Sequence, residues 1–333
     1  MSSSSGFLAR LAGFVSFVIS LIAAAWFLGL AWFALPRPAA AAAVALLVSA
    51  VVVAVWRCRT GAGRLVALPV ILLLGVGTIY LGTSPRNDRN WGIEDSQAPW
   101  TEVAGDVATI HNFRNFDWTS ATTANQRWET RSFHLSNLRG VDFIMVYWEG
   151  MDNICHTMLS FDFGPEGFVC ASVDARLEEG EPYSPVGGAF RAYEILYVFS
   201  DERDVLRVRT NFRKNEVYLY RLKATPERAR ELFTGYLQRA NELRDHPAWY
   251  NSLTTNCTTT IRYHAQLLNI ESPWSWEVFA NGHLDSFFYR HGRLAGGDLP
   301  LAELRARSAV TAAAQTAPLA DFSTAIRAGR PGF

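Results

Sequence analysis

Three long apolar runs near the start of the chain constrain its fold more than any other feature. They cover residues 14–35, 39–56 and 65–81 of a chain of 333 residues. Each is close to the ~20 residues that an α-helix needs to cross the hydrocarbon core of a bilayer. The first run is too long for the core of a signal peptide, and two more runs follow it. We therefore predict a membrane region with three transmembrane helices over residues 1–83.

Arginine residues in the links between these runs predict the orientation of the helices. The second link, RCRTGAGR, carries Arg57, Arg59 and Arg64, whereas the first link contains only Arg37. Because basic residues are enriched in short cytoplasmic loops, this asymmetry places the second link and the N-terminus, with Arg10, in the cytoplasm. An odd number of spans then leads the chain out of the cytoplasm after residue 81. We expect a protein of the bacterial inner membrane whose main domain is periplasmic.

The charge balance excludes one class of partner. The chain has 31 basic and 31 acidic side chains, so its formal net charge is zero. A domain that binds nucleic acid carries a basic surface. We therefore predict no nucleic-acid partner.

The rest of the chain shows strand patterns first and helix patterns later. A polar, turn-forming stretch predicts a linker over residues 84–105, followed by a domain over 106–308 and an alanine-rich C-terminal tail over 309–333. Thr225 and Pro226 open an amphipathic helix that extends to about Arg244. A run of strands followed by helices is typical of the α+β class. The predicted strands cover residues 107–116, 142–148, 153–163, 167–173, 193–199, 205–212 and 217–222.

A single cysteine begins a further helix in the motif TTNCTTTIRYHAQLLN. Asn256 or Thr255 caps this helix, which places Cys257 in its first turn. The peptide dipoles there favour a thiolate, so Cys257 is a candidate nucleophile. The alternative is a small buried thiol in a capped helix, since unpaired cysteine is often simply buried. No C-x-x-C pair, H-E-x-x-H motif or glycine-rich phosphate loop occurs, so we predict no metal ion and no cofactor.

A thiolate nucleophile needs a base within hydrogen-bond reach, and His156 is the candidate. His264 lies two helical turns from Cys257, about 10 Å along the axis, which is too far. His156 belongs to a predicted hairpin whose three-residue turn, Pro-Glu-Gly, places it opposite Arg176. Asp174 is then its diagonal neighbour on the same face and would orient the imidazole. A two- or four-residue turn would put them on opposite faces, and a strand histidine beside an acid also has a purely structural explanation.

Several longer motifs together resemble one protein family. They are HNFRNFDW, ICHTMLSFDF, FRAYEILYVFSDERDVLRVRTNF, VYLYRL and HPAWYNSLTTNCTTTIR, and the resemblance covers about residues 100–290. They resemble the Lnb N-terminal periplasmic domain family, named after a bacterial lipoprotein N-acyltransferase. That family is similar to circularly permuted NlpC-type, papain-like thiol enzymes, in which the histidine strand precedes the cysteine helix. The resemblance implies an antiparallel sheet with helices, with Cys257 as nucleophile, His156 as base and Asp174 in the position of an acidic residue.

The resemblance also implies acyl transfer at the outer face of the inner membrane. Cys257 would take an acyl chain from a phospholipid as a thioester and pass it to an amine, such as the N-terminus of a lipoprotein. The preceding loop supplies the candidate substrate-binding or oxyanion residues Asn256, Tyr250 and Asn251, beside the N–H of Cys257. Two alternatives stay open: a cysteine peptidase or amidase that cleaves cell-wall peptides, and a non-catalytic, membrane-anchored assembly protein.

The aromatic segment PWSWEVFANGHLDSFFYR has two interpretations. Trp274, Trp276, Phe287 and Phe288 could lie at the membrane interface, where aromatic side chains are enriched. Ordinary packing against the core of the domain explains the same residues.

Overall fold

The computed structural model describes residues 2–58 and 61–333. These residues form two units. The first contains the N-terminal residues up to Arg86 together with Tyr183–Glu194, and the second contains Asn87–Pro182 and Ile195–Phe333. Arg59, one of the three arginines behind the predicted orientation, lies outside the described residues.

Within its described residues, the first unit has three long apolar helices. They are α1 (Ser2–Ala34), α2 (Arg37–Arg57) and α3 (Gly61–Gly82). The candidate membrane spans within them are 28, 21 and 20 residues long, with mean hydropathies of 2.3, 2.5 and 2.3. Pro36 lies between α1 and α2, where its ring prevents the first helix from continuing. Three helices long and apolar enough to cross a bilayer are thus confirmed.

The segment Tyr183–Glu194 belongs to this first unit and packs on α1 through one phenylalanine. It contains a short helix, α4 (Pro185–Ala189), followed by Phe190. The Phe190 ring makes an edge contact with Trp26 at 5.0 Å and stacks with Phe33 at 6.0 Å. A Cβ atom at Gly29 would overlap the same ring, so the absence of a side chain there allows the contact.

Within its described residues, the second unit has a mixed eight-stranded sheet with the order β1-β2-β9-β8-β7-β6-β10, and β5 also pairs with β2. Most pairs are antiparallel, but β2 and β9 pair in parallel at Arg114 and Ser200. Strands β3 and β4 form a separate small hairpin. The strands are β1 (Trp100–Ala104), β2 (Val107–Arg114), β3 (Asp117–Trp118), β4 (Ala124–Asn125), β5 (Trp128–His134), β6 (Gly140–Tyr147), β7 (Cys155–Asp162), β8 (Phe168–Arg176), β9 (Glu194–Ser200) and β10 (Glu216–Arg221).

Helices cover the sheet and follow mostly in the second half of the chain, which confirms the α+β class. The longest begins where the sequence predicts, because the Thr225 side chain accepts a hydrogen bond from the Arg228 N–H and Pro226 occupies the first helical position. Its apolar stripe, which includes Phe233 and Tyr236, is buried. The helices are α5 (Glu202–Arg207), α6 (Pro226–Asp245), α7 (Cys257–Leu267), α8 (Leu284–Arg290), α9 (Leu301–Ser308), α10 (Thr311–Thr316) and α11 (Phe322–Ala325).

Residues 205–212, predicted as a strand, form helix instead. They belong to α5 and to a π-helical turn over Val208–Phe212. The Asp201 side chain caps α5 by accepting a hydrogen bond from the Arg203 N–H. That cap, together with tertiary packing of the apolar side chains of α5, outweighs their β propensity. The sequence reading also missed β5, and it missed β1, which lies in the stretch assigned to a linker.

The C-terminal residues after 308 pack into the core. Val310, Phe322 and Ile326 are fully or almost fully buried, in one cluster with side chains of α5 and β10. The Val310 N–H donates to the carbonyl oxygen of Val217 at 2.8 Å. Arg327 binds two buried carboxylates, with Nη2 at 2.7 Å from Asp142 and 2.6 Å from Glu202. The alanine-rich tail therefore completes the hydrophobic core on the side of the sheet that faces α5.

Candidate active site

The hairpin β7–β8 brings a histidine and an acid together, although in a different register from the predicted one. Asp162 pairs with Phe168 and Met158 pairs with Ser172. Five residues, 163–167, connect the strands, rather than the predicted three. The same register places His156 opposite Asp174, not opposite Arg176. Because the register differs by two residues, every side chain keeps its predicted face, and only its partner changes.

A serine connects the imidazole and the carboxylate. Nε2 of His156 lies 2.7 Å from Oγ of Ser172 and 3.2 Å from Oδ1 of Asp174. The Ser172 hydroxyl donates to Oδ1 of Asp174 at 2.7 Å, so its oxygen accepts from the imidazole N–H. Ser172 is buried, and it is a site residue that the sequence analysis does not name. With Nε2 held in this way, Nδ1 is the ring nitrogen available to a further partner.

Electrostatics favour an ionised carboxylate beside a charged imidazole. Burial raises the pKa of Asp174, but its hydrogen bond to His156 and the charges of His156 and Arg209 lower it below its ordinary value. Burial lowers the pKa of His156, while hydrogen bonds to Asp174 and to Cys257 raise it to about 9. Nearby, burial and the charge of Asp174 raise the pKa of Asp95 to about 8. Asp174 therefore carries the local negative charge while Asp95 stays neutral at neutral pH.

Helix α7 begins at Cys257 because Asn256 caps it. Oδ1 of Asn256 accepts hydrogen bonds from the N–H groups of Thr258 and Thr259, each at 2.9 Å. The Thr259 hydroxyl in turn accepts from the Asn256 N–H at 2.8 Å, which completes a capping box. Within the described part of the chain, no acceptor engages the N–H of Cys257. This first helical N–H is therefore available to an oxyanion.

The thiol of Cys257 lies against both His156 and Thr157. The imidazole of His156 and the N–H and hydroxyl of Thr157 all lie close enough to the sulfur to lower its pKa. The pairing of β7 with β8 ends at Met158, so β8 does not engage Thr157. Burial raises the pKa of the Cys257 thiol, but these three contacts and the charge of His156 lower it from 9.0 to about 7. Half of the thiol is thus a thiolate near neutral pH.

A buried asparagine, Asn281, is linked to the Cys257 sulfur through two threonine hydroxyls. Nδ2 of Asn281 donates to the Thr258 hydroxyl at 2.9 Å, and that hydroxyl lies 3.3 Å from the hydroxyl of Thr157. Since Thr258 accepts from Asn281, its own proton is free for Thr157, whose proton then points to the Cys257 sulfur. The sequence reading missed Thr157 and Asn281 as site residues. Direct adjacency to His156 was a signal for Thr157, whereas Asn281 lies too far along the chain for any local pattern to place it.

Two of the three predicted loop residues make hydrogen bonds within the loop and the helix cap. Nδ2 of Asn256 donates to the Ser252 carbonyl at 2.7 Å, so its whole amide group is used within the loop and the cap. Oδ1 of Asn251 accepts from the N–H groups of Leu253 and Thr254 and shapes the same turn. Tyr250 is buried. The structure brings Cys257, His156 and Asp174 together.

The remaining histidine of α7 lies outside the site. His264 is buried, with Nε2 at 2.9 Å from the Tyr197 hydroxyl and its ring stacked on Tyr236 at 4.3 Å. Burial lowers its pKa to about 4. His264 is therefore a neutral core residue near pH 7. The thiols of Cys58, Cys155, Cys170 and Cys257 are all free. Within residues 2–58 and 61–333, no three histidine, cysteine, aspartate or glutamate side chains are placed to hold a metal ion.

Comparison with protein families identifies the domain that contains this site. Residues 124–282 match the family model described as the Lnb N-terminal periplasmic domain. The match covers just under half of the chain, and we call the matched segment the Lnb domain. The Lnb domain extends from β4 to Gly282 and includes His156, Asp174 and Cys257, while β1, β2 and β3 precede it and α8 to α11 follow it.

Neither the comparison with curated proteins nor the comparison with solved structures gives a match. The similarity of the Lnb domain to papain-like enzymes therefore stays a prediction. The match to the Lnb N-terminal periplasmic domain and the three apolar helices together indicate a membrane-associated protein with a periplasmic domain.

Proposed function

We propose that the protein is a membrane-anchored, cysteine-dependent acyltransferase that works at the periplasmic face of the inner membrane, with its N-terminus in the cytoplasm. The observation that carries this proposal is the contact of the Cys257 thiol with His156, which Asp174 and Ser172 hold in place. A thiolate beside an imidazolium is the nucleophile that acyl transfer requires. The membrane helices keep that nucleophile on a chain that cannot leave the bilayer.

In the first half-reaction the acyl chain moves from a phospholipid to the enzyme. The Cys257 thiolate attacks the ester carbonyl carbon, and the N–H of Cys257 stabilises the oxyanion that forms. A carbon–sulfur bond forms, the ester carbon–oxygen bond breaks, and the departing alkoxide takes the proton of the His156 imidazolium. The products are an acyl thioester, a lysophospholipid and a neutral imidazole.

In the second half-reaction an amine accepts the acyl chain. The amine nitrogen attacks the thioester carbonyl while neutral His156 takes its proton. A carbon–nitrogen bond forms, the carbon–sulfur bond breaks, and the thiolate–imidazolium pair is restored. Asp174 and Ser172 hold the ring so that Nδ1 faces the sulfur in both steps. The N-terminal amine of a lipoprotein is the acceptor that we propose.

Trapping the thioester tests the proposal. The full chain in nanodiscs is incubated with phospholipid that carries a labelled acyl chain, then quenched in acid and examined for label that hydroxylamine releases. We expect label on the wild type and on Cys58→Ser, and none on Cys257→Ala. An N-terminal lipopeptide amine should then discharge the label faster than water does. Absence of label on the wild type, with cleavage of cell-wall peptides instead, would support the peptidase or amidase alternative and refute acyl transfer.

A further inference from the structure

Two loops of the second unit expose large apolar side chains to solvent. The loop between β6 and β7 exposes Trp148, Met151 and Ile154 by 36%, 50% and 43%, and the segment before α8 exposes Trp274, Trp276 and Phe279 by 57–61%. We call these six residues the aromatic patch. Phe287, by contrast, is buried, so only part of the aromatic segment that the sequence singled out is at the surface.

The two loops are fixed to each other. The Gly282 N–H donates to the Asn153 carbonyl at 3.0 Å, and Nε2 of His283 lies 2.9 Å from Oδ1 of the same asparagine. The ring of Trp276 lies 5.1 Å from the His283 ring, and Trp274 stacks on Phe279 at 5.7 Å. Hydrogen bonds and ring contacts thus join the two loops that carry the aromatic patch.

The same loops continue directly into the candidate site. Ile154 is followed by Cys155 and then by His156. The Cys155 N–H donates to Oδ1 of Asn281 at 2.8 Å, and Asn281 is the residue that supports the threonines behind the Cys257 sulfur. Arg262 of α7 lies 4.2 Å over the Trp274 ring, which ties the second loop to the helix of the nucleophile. A surface that receives the patch would therefore lie next to the thiolate.

The size and chemistry of the patch identify its partner. At about 200 Å² per ring, the three most exposed aromatic side chains alone present roughly 350 Å² of apolar area, as much as the largest patch on a typical soluble monomer. Tryptophan is the residue most typical of the boundary between lipid and water. Glu149 and Asp152 lie exposed in the same loop, so attraction to anionic lipid headgroups does not account for the patch. The three membrane helices ensure that a bilayer is always near.

We propose that the aromatic patch inserts into the outer surface of the bilayer and so places the Cys257 site at the level of the phospholipid esters. Insertion depends on apolar contact and is therefore insensitive to the share of anionic lipid. Its role in supplying the acyl donor rests on the proposed acyl transfer, whereas the insertion itself does not.

Photolabelling from the lipid phase tests the insertion. The full chain carrying Cys257→Ala is placed in nanodiscs whose phospholipid bears a diazirine on an acyl chain, and labelled peptides are identified by mass spectrometry. We expect label on residues 148–154 and 274–279 in addition to the three membrane helices, and equal labelling with and without anionic lipid. Because this variant has no nucleophile, the result is independent of acyl transfer.

Matched variants complete the test. Trp274→Ser with Trp276→Ser should lower labelling of both loops roughly tenfold or more, since burial of one such ring is worth at least that factor in partitioning. Leu319→Ser, which changes an apolar residue exposed by 48% outside the patch, should have no effect. Folding is checked in versions of both variants that retain Cys257. The rate at which Cys257 reacts with a small disulfide should be the same in these variants as in the wild type.

Label confined to the membrane helices would overturn the proposal, whether the patch then faces water or a second copy of the chain. Label that requires anionic lipid would also overturn it, because charge and not apolar contact would then hold the surface. If the loops are labelled but no thioester forms on the wild type, insertion stands and acyl transfer fails.

Discussion

Replacing His156 by glutamine should raise the pKa of the Cys257 thiol and slow its reactions at neutral pH. The imidazole is the largest of the contributions that lower this pKa from 9.0 to about 7, and burial opposes it. Without the imidazole the pKa should return to about 9 or above. At pH 7 the thiolate fraction then falls from about one half to about one in a hundred, a change of roughly fifty-fold. Because Thr157 remains and still lowers the pKa, fifty-fold is the upper limit of the change in thiolate fraction.

The rate falls by less than the thiolate fraction, because a more basic thiolate is a better nucleophile. With a Brønsted coefficient of about 0.4–0.5, two pKa units make the variant thiolate roughly six to ten times more reactive. The net expectation is a reaction with a small disulfide that is roughly five to eight times slower at pH 7. Well above pH 9 the order should reverse, and the variant should react faster than the wild type. A variant that merely unfolds would be faster at every pH.

The assay is disulfide exchange with dithiodipyridine, followed from pH 5 to pH 10. Both proteins carry Cys58→Ser, because that thiol is partly exposed and would add to the signal. Cys155 and Cys170 are buried, and burial raises the pKa of each thiol, so they should react slowly. A wild-type midpoint near pH 9, or a midpoint near pH 7 that survives the loss of His156, would refute the paired thiolate and imidazolium.

Three further predictions concern stability. Asn256→Ala should lower the free energy of unfolding by about 1 kcal/mol through loss of the α7 cap, and a shift of the thermal midpoint measures it; Asn256→Asp should retain most of the stability. Arg327→Met should cost roughly 3–5 kcal/mol, because it leaves the buried Glu202 carboxylate without a cationic partner, while Asp142 keeps Arg221; Arg307→Met at a half-exposed ion pair should cost less than about 1 kcal/mol. The pKa of Asp95 rises from 3.8 to about 8 on folding, so the wild type loses stability as the pH rises through that interval. The asparagine of Asp95→Asn does not titrate, so the thermal midpoint of this variant should rise relative to that of the wild type between pH 5 and pH 8. A difference in midpoint that stays constant over this interval would contradict the buried neutral carboxyl.

Elements with strong local signals could be predicted from the sequence. Features of this kind depend on residues close together in the chain. They are the three apolar runs, the Thr225-Pro226 start of α6 and the Asn256 cap of α7, and each appears in the structure. The 205–212 segment could not be predicted in this way. Its apolar and β-branched residues suit a strand. The cap by Asp201 and burial against the C-terminal helices stabilise the helix α5 instead. Tertiary contacts of that kind have no local pattern.

The supporting residues of the site show the same limit. Thr157 lies on β7, and Asn281 lies in a loop more than a hundred residues later. Only folding brings both of them to Thr258 beside the thiol. The sequence predicts two kinds of oxyanion donor, the N–H of Cys257 and a side chain of the loop before it. In the structure the side chain of Asn256 is bonded within the helix cap and the loop, and among the described residues no acceptor engages the N–H of Cys257.

The relation of His156 to Asp174 could be predicted in kind but not in detail, and the reason lies in the geometry of strand pairing. Side chains alternate between the two faces of a strand, so a register error of two residues leaves every face unchanged. The same error changes the separation. Diagonal neighbours lie about 7–8 Å apart, whereas directly opposed residues lie about 4.5–5.5 Å apart. The five-residue connection after Asp162 moves Asp174 from the diagonal to the opposite position of the continued register, and its Oδ1 lies 3.2 Å from Nε2 of His156. Ser172, which pairs with Met158, is then the diagonal neighbour of His156, and its hydroxyl reaches Nε2 at 2.7 Å across that longer separation.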